Sequence, residues 1–264
     1  MKMRTLVRLI PVMLLMVTFT SLDVTAADHY NLEEGLPVEL TDAMPTKYRN
    51  LEVQGYSRWE HTGGGEEEFQ VVPRLEYGLW LNSQFSVEAP YEFGEAVEDD
   101  EFKTIGVELF YNFNQEGLYF PAVALAGKTD FPVGDEEDGV DTTVKLILSK
   151  TIGRSAHWQR VHLNAAWKYN NDAAEDERTD YYTFIAGYDR LVNADTLIVI
   201  DYVREQERED DSDINLVEAG IRYQLTPLTV IAGGLGAGIG EDSPDFRVSL
   251  AFQHSLNAWY FGGR

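Results

Sequence analysis

From residue 51 to residue 256 apolar and polar side chains alternate with a period of two, in twelve stretches of about 10 to 13 residues, and long connections alternate with short ones without exception. The stretches run near 51 to 61, 68 to 80, 84 to 93, 102 to 113, 118 to 128, 140 to 152, 159 to 170, 179 to 191, 195 to 207, 214 to 226, 228 to 238 and 245 to 256. In the third, Phe85, Val87, Ala89, Tyr91 and Phe93 share one face against Gln84, Ser86, Glu88 and Glu92. In the seventh, Val161, Leu163, Ala165, Trp167 and Tyr169 oppose Arg160, His162, Asn164, Lys168 and Asn170. After odd-numbered stretches come GGGEEE (63–68), GEAVEDDE (94–101), TDFPVGDEEDG (129–139), NDAAEDE (171–177), EREDDSD (207–213) and GEDSPD (240–245), which together hold 25 of the 45 carboxylates. After even-numbered ones the chain turns within LNS (81–83), NQEG (114–117), GRSAHW (153–158), VNAD (192–195) or Thr226-Pro227. The negative charge is thus gathered at one end of an antiparallel sheet.

Two architectures use such strands. In a soluble barrel the apolar face points inward; in a membrane barrel it points at lipid, and closure pairs every backbone group. Three features select the second. Globular strands average only about 5 or 6 residues, whereas strands of this length, tilted by about 40°, span the hydrocarbon layer. Short turns at one end and long polar loops at the other are the asymmetry of outer-membrane barrels. Aromatic residues also gather toward strand ends (Trp59, Tyr77, Trp80, Tyr91, Phe93, Tyr111, Phe113, Trp158, Trp167, Tyr169, Tyr188 and Tyr223), where their rings suit the two lipid interfaces. The expected fold is all-β, a twelve-stranded antiparallel transmembrane barrel of the bacterial outer membrane. Its backbone diameter would be roughly 24 Å, leaving a narrow or plugged lumen.

The flanks fit this reading. Lys2, Arg4 and Arg8 precede a mostly apolar run from Leu6 to Thr20, and Val24-Thr25-Ala26 offers small residues for cleavage, so residues 1–26 read as a signal peptide. Residues 27–50 contain Leu32, Leu36, Val38, Leu40 and Met44 without strand alternation, and read as a periplasmic segment or a lumen plug. The barrel takes 51–256, and 257–264 is a tail or the end of the last strand.

Composition removes other classes. The chain has no cysteine, hence neither disulfides nor cysteine-based zinc sites. Its 45 acidic against 21 basic residues give a net charge of -24, which repels phosphodiesters, so no nucleic-acid partner is expected. A mean hydropathy of -0.28 excludes a helical membrane bundle, while 44% apolar residues are too many for a disordered chain.

With polar residues inward, Arg58, Arg74, Glu76, Glu88, Glu108, Lys145, Arg160, Lys168, Asp201, Glu218, Arg222 and Arg247 are the candidate pore-lining residues. The full inward set, which adds Glu52, Glu60, Glu92, Asp141 and Asp189, has seven basic and ten acidic groups, a balance unsuited to an anion-specific lumen. Such a set either orients a small solute or stiffens the wall through cross-strand ion pairs. The GGLGAGIG stretch (233–240) lacks the Lys-Ser/Thr of a phosphate-binding loop; its Gly234, Gly236 and Gly238 share a face and leave room for a neighbouring backbone or an inserted segment. No acidic loop carries the twelve-residue calcium pattern, so the loops read as an anionic surface, with divalent cations bridging them to lipopolysaccharide phosphates. The five histidines (His29, His61, His157, His162 and His254) show no nucleophile motif, and neither an enzyme nor a cofactor is expected.

Tyr223-Gln224-Leu225-Thr226-Pro227 followed by GGLGAGIGEDSPDFRVSLAFQ (233–253) resembles the closing hairpin of an outer-membrane transporter family named for the meta-pathway of phenol degradation. RLEYGLWLNSQFSVEAPYEFG (74–94) is similar to that family's early strand-turn-strand unit. The resemblance implies a barrel that passes small, often hydrophobic, compounds across the outer membrane. Barrels of this kind end on an aromatic residue, whereas this chain continues past Phe252 through HSLNAWYFGGR, so either Tyr260 or Phe261 anchors a longer last strand or a tail follows. The expected function is passive passage of small molecules; the alternative is a structural or surface-interaction barrel whose lumen is closed by ion pairs.

Overall fold

The computed structural model describes residues 27–95, 97, 101–133, 139–153, 157–171, 173, 177–209, 212–240 and 242–256; the expected signal peptide and the 257–264 tail lie outside them. The wall consists of β1 (Leu51–His61), β2 (Glu67–Trp80), β3 (Ser83–Glu88, resuming as Tyr91–Gly94), β4 (Glu101–Phe102, resuming as Thr104–Asn114), β5 (Ala122–Pro132), β6 (Asp141–Gly153), β7 (Gln159–Tyr169), β8 (Asp180–Asn193), β9 (Thr196–Gln206), β10 (Asp213–Thr226), β11 (Thr229–Gly238) and β12 (Phe246–Ser255). Each strand pairs antiparallel with its sequence neighbours, and β1 also pairs with β12, Trp59 lying opposite Phe69 on one side and Val248 on the other. The sheet is therefore a closed twelve-stranded barrel without an edge.

The break in β3 has a covalent cause. Pro73 on β2 and Pro90 beside it both lack an N–H, so the ladder stops there, and Ala89 N–H bridges the gap to the Pro73 carbonyl at 3.2 Å.

Eleven strands fall within two residues of their expected positions, but the fifth does not. It runs Ala122–Pro132, four residues later than expected, because the apolar run Leu118-Tyr119-Phe120 belongs to the turn and not to the strand. That turn is fixed by Gly117 N–H donating to the Phe120 carbonyl (3.0 Å) and by Asn114, whose side-chain amide donates to Pro121 O (2.8 Å) and accepts from Val123 N–H (3.1 Å). Lys128 and Asp130, expected at the strand's end and in a loop, consequently sit within the wall.

The facing of the strands follows the membrane arrangement. On β7, Leu163 is 56% exposed on the outside while Arg160, His162 and Asn164 are buried inside. Near the loop end an aromatic chain crosses the seam between β12 and β1: Phe246, Trp59, Phe69, Phe93, Tyr91 and Phe102 follow one another at centroid distances of 4.9 to 6.4 Å. Such a belt suits the lipid interface. Trp158 departs from this expectation: its ring lies at the lumen mouth, 5.2 Å from Tyr30 and 4.5 Å from the Arg160 guanidinium, because inward-facing Arg160 draws it off the lipid surface. An edgeless sheet with an apolar exterior and an ionic interior is an outer-membrane β-barrel, and this chain belongs in the bacterial outer membrane.

The apolar-out rule has two inner exceptions: Phe110 on β4, Ala122, Ala124 and Ala126 on β5 and Ile147 on β6 are buried around Ala43, and a second group lies on β8 to β10. Leu191 and Ile185 on β8, Leu197, Val199 and Val203 on β9, and Leu216 on β10 point inward and are buried against Leu32, Val38 and Leu40. Leu197-Ile198-Val199-Ile200 therefore presents apolar groups on both faces, one to lipid and one to the chain's own N-terminal residues.

Leu51 and Ser255 lie at the rim that carries the short turns, which is the periplasmic rim of such barrels. Protease added to intact cells should accordingly cut the 207–213 loop and spare the turns at 194–195 and 227–228; the reverse pattern in fragment analysis would invert the orientation.

Candidate functional site in the barrel lumen

Residues 27–50 form no helix or long strand, yet most are buried inside the barrel. The segment enters at the periplasmic rim, where Ala27 N–H donates to Pro227 O (2.8 Å), and leaves at the same rim, where Arg49 N–H donates to Gly78 O (2.7 Å). Between these points it folds back on itself. Gly35 N–H meets Val38 O (2.9 Å) at the tip and Asp42 N–H meets Leu32 O (3.0 Å) lower down. Gly35 has φ +79°, and a Cβ there would fall 2.4 Å from the Tyr56 ring, so both conformation and space require glycine.

An irregular backbone inside a barrel has no ladder of its own, so the wall must supply partners. Asn164 does so from both ends of its amide, accepting from Thr41 N–H and donating to Thr41 O, each at 2.9 Å. Ser149 Oγ accepts from Ala43 N–H (2.8 Å), Asn112 donates to Ala43 O (2.6 Å), and Gln84 accepts from Thr46 N–H (2.6 Å). Arg222 donates to the carbonyls of His29 (3.1 Å) and Leu36 and to Gln253 Oε1 (2.6 Å).

Three of the segment's five carboxylates face wall cations, while Glu33 accepts from the side-chain amides of Asn31 and Gln84. Glu34 meets Lys145; burial opposes its ionisation, but Lys145, with Lys128 and Arg74 behind it, holds the carboxyl well below the ordinary carboxylate range. Glu39 pairs with Arg58 and, at 3.0 Å, with Arg247, while its backbone N–H donates to Glu218 (3.1 Å). Asp42 takes Arg160 at 2.6 Å, and Arg160 also holds Asp189.

The twelve sequence candidates all line the interior. Arg58, Arg74, Lys145, Arg160, Glu218, Arg222 and Arg247 touch the segment directly, Arg74 through Glu34 O at 3.2 Å. Glu76 binds the segment's Thr46 hydroxyl. Glu88 is shared between Arg74 (2.7 Å) and Lys128 (2.6 Å), and Lys168 pairs with Glu205, both nearer the loop end. Glu108 borders a remaining space of about 20 Å³ among Glu34, Arg74, Glu88 and Lys128, enough for a single water. Asp201 lies directly across from Glu218 on the neighbouring strand.

Neutral amides and hydroxyls are absent from the twelve charged candidates, although Gln84 and Asn164 already stand on polar strand faces in the sequence. Asn112, Asn164, Gln84 and Ser149 share the parity of the charged inward residues, and that parity was the available signal. Sequence reasoning also missed an arrangement that needs two strands to see. Ser149 and His162 are cross-strand partners with Oγ 2.8 Å from Nδ1, and His162 Nε2 lies 3.6 Å from Asp189. Ser149 is 2% exposed and already accepts from Ala43 N–H, so in this arrangement the three residues extend the wall's grip on the segment. Among the described residues no cluster of three or more His, Asp or Glu side chains is arranged to hold a metal ion.

Small residues let the segment approach. A Cβ on Gly187 would lie 2.3 Å from Leu40 Cδ2, on Gly220 2.4 Å from Pro37 Cγ, and on Gly234 2.9 Å from Pro37 O. Of the glycine row read from the sequence, Gly236 instead faces Glu218 and Arg247, and Gly238 packs on Pro244 of its own loop. Gly187→Leu should therefore unseat the segment while leaving the wall paired, so that a Glu-specific protease cuts purified barrel between residues 33 and 39. Asn164→Ala, which orphans two buried backbone groups at about 1–3 kcal/mol each, should show the same cleavage at a lower rate.

In fold the barrel matches solved outer-membrane proteins. It is similar to the COG4313 outer membrane channel from Pseudomonas putida F1 (TM-score 0.62, 13% identity, 83% of this chain and 100% of that one). It is also similar to the NanC porin (0.56, 12%, 78% and 100%) and to the Acinetobacter baumannii outer membrane protein Omp33 (0.50, 10%, 79% and 98%). No family model and no curated protein matches the chain, so nothing ties it to the meta-pathway transporters in particular. At identities this low the likeness establishes the architecture, a closed outer-membrane barrel of the form seen in channels and porins.

Proposed function

We propose that this protein is an outer-membrane channel for small molecules, hydrophobic ones included, whose conducting state requires residues 27–50 to shift from the lumen. One observation carries the reading: within the lumen the segment holds its place through side chains of the wall, with three of its carboxylates each on a wall cation, while its backbone bonds to the wall lie at the rim, at Ala27 and at Tyr48 to Asn50. Contacts of this kind can be exchanged for contacts to a solute. Once the segment has shifted, the lumen offers two kinds of surface, the cations Arg58, Lys145, Arg160 and Arg247 and the apolar patch of Ile185, Leu191, Leu197, Val199 and Leu216. The apolar patch supports passage of solutes with a hydrophobic part. In this reading the twelve charged candidates line the route, the solute gradient drives passage, and divalent cations tie the acidic loops to lipopolysaccharide phosphates.

The competing reading is a structural barrel closed for good, favoured by the single-water space left near the tip. Conductance in planar bilayers separates the two. Wild type should conduct little, and the combined variant Glu34→Gln, Glu39→Gln, Asp42→Asn should raise conductance on the order of tenfold by weakening the seated state. Uptake of small solutes into liposomes should rise in parallel. If neither protein passes ions or solutes, although the variant's segment is shown to be released by proteolysis, the channel reading fails and the structural one stands.

A further inference from the structure

Glu34, Glu39 and Asp42 each take a wall cation, but Glu33 does not. It is 4% exposed, and its hydrogen bonds come from neutral amides, Asn31 Nδ2 at 2.9 Å and Gln84 Nε2 at 3.4 Å. The Gln84 amide is oriented by Thr46 N–H, which donates to its Oε1 at 2.6 Å, and its nitrogen donates to Glu76 Oε2 as well, at 3.1 Å. Two buried carboxylates, one on the segment and one on the wall, thus converge on a single amide, and neither has an ion pair among the described residues.

The charges around the pair do not relieve it. Glu52 on β1 lies directly across from Glu76, Glu108 faces the pair from β4 and Asp42 from the leaving arm. Against them stand Arg74, held by Glu88 and the Glu34 carbonyl, and Arg222, held by two carbonyls and Gln253. Lys128 and Lys145 border the same single-water space but carry Glu88 and Glu34. In so dry a place two adjoining ionised carboxylates repel, and a proton held by the pair removes the repulsion. Burial, and next the charge of Glu76, push the Glu33 carboxyl well above the ordinary carboxylate range.

We infer that the seated segment holds a proton on the Glu33 and Glu76 pair, and that loss of this proton at alkaline pH releases residues 27–50 from the lumen. When the segment leaves, Glu33 enters water and ionises as an ordinary carboxylate, so release gives up a proton. Seating is therefore stabilised in full below the ordinary carboxylate range, and that stabilisation is lost as pH rises through the seated value, each pH unit between the two favouring release by up to about tenfold. Glu34 has the opposite sense, because Lys145 keeps it ionised while seated, but it acts only below the ordinary range. The switch rests on the movement that the channel reading invokes and not on conduction, and cleavage of the segment reports that movement whether or not ions pass.

Two measurements on the purified full-length barrel test the switch. Infrared spectra at about pH 7 should show a protonated carboxylic acid in wild type that Glu33→Gln lacks. Thermolysin, which cuts at apolar residues, should cleave the segment between residues 31 and 41 at a rate that, divided by its rate on a synthetic 27–50 peptide, rises severalfold per pH unit from about pH 6 to about pH 8. Glu33→Gln, which keeps the shape without the charge, should remove most of that rise and hold the segment more firmly than wild type at the alkaline end. Glu34→Gln, which only loses its attraction to Lys145, should raise cleavage throughout and keep the wild-type slope. Equal carboxylic-acid signals in wild type and Glu33→Gln, wild-type cleavage that is flat across this range or undetectable at its alkaline end, or a wild-type slope in Glu33→Gln would each overturn the switch. Release that follows pH in a barrel that conducts in no state would fail the channel reading and uphold the switch.

Discussion

In hydrocarbon every unpaired backbone amide costs several kcal/mol, and the whole molecule is arranged around that penalty. The wall meets it by closing β12 onto β1, which leaves no strand without two neighbours. Inside, the same demand recurs in another form. The irregular residues 27–50 carry N–H and C=O groups with no ladder to join, and Asn164, Asn112, Gln84, Ser149 and Arg222 take the place of a neighbouring strand. The lumen side chains thus behave less as a pore lining than as a template for one particular loop of chain.

That template is both polar and apolar, which explains why the wall breaks its own alternation. A lumen that was ionic throughout would force Leu32, Val38 and Leu40 against charge. Instead β8, β9 and β10 turn Ile185, Leu191, Leu197, Val199, Val203 and Leu216 inward over the area these residues cover. Burying each such side chain is worth about 1.5–3 kcal/mol, comparable to a good buried ion pair and free of its desolvation cost. Ionic wall residues set among these apolar groups receive the segment's charges: Lys145 on β6 takes Glu34, Arg58 on β1 and Arg247 on β12 take Glu39, and Arg160 on β7 takes Asp42.

Much of this was legible in the sequence because a period of two and an alternation of loop lengths are physical consequences of crossing a bilayer with strands. Phe85, Val161 and Leu163 could only face lipid once Gln84, Arg160 and Asn164 faced in. The fifth strand was misplaced because Leu118-Tyr119-Phe120 is as apolar as a strand, and only its pairing with β4 shows where the ladder begins. Trp158 was assigned to the lipid interface on residue type alone, but an aromatic ring beside an inward arginine has a competing partner. The Ser149, His162 and Asp189 chain was invisible because its members are neighbours across strands and not along them.

The segment's first described residue and its junction with β1 both sit at the periplasmic rim, so the chain inside the barrel is a tongue and not a thread. A thread would have to be in place before the cylinder was sealed. A tongue imposes no such order: the cylinder can be completed empty and filled afterwards, and can be emptied and refilled many times without parting a single pair of staves.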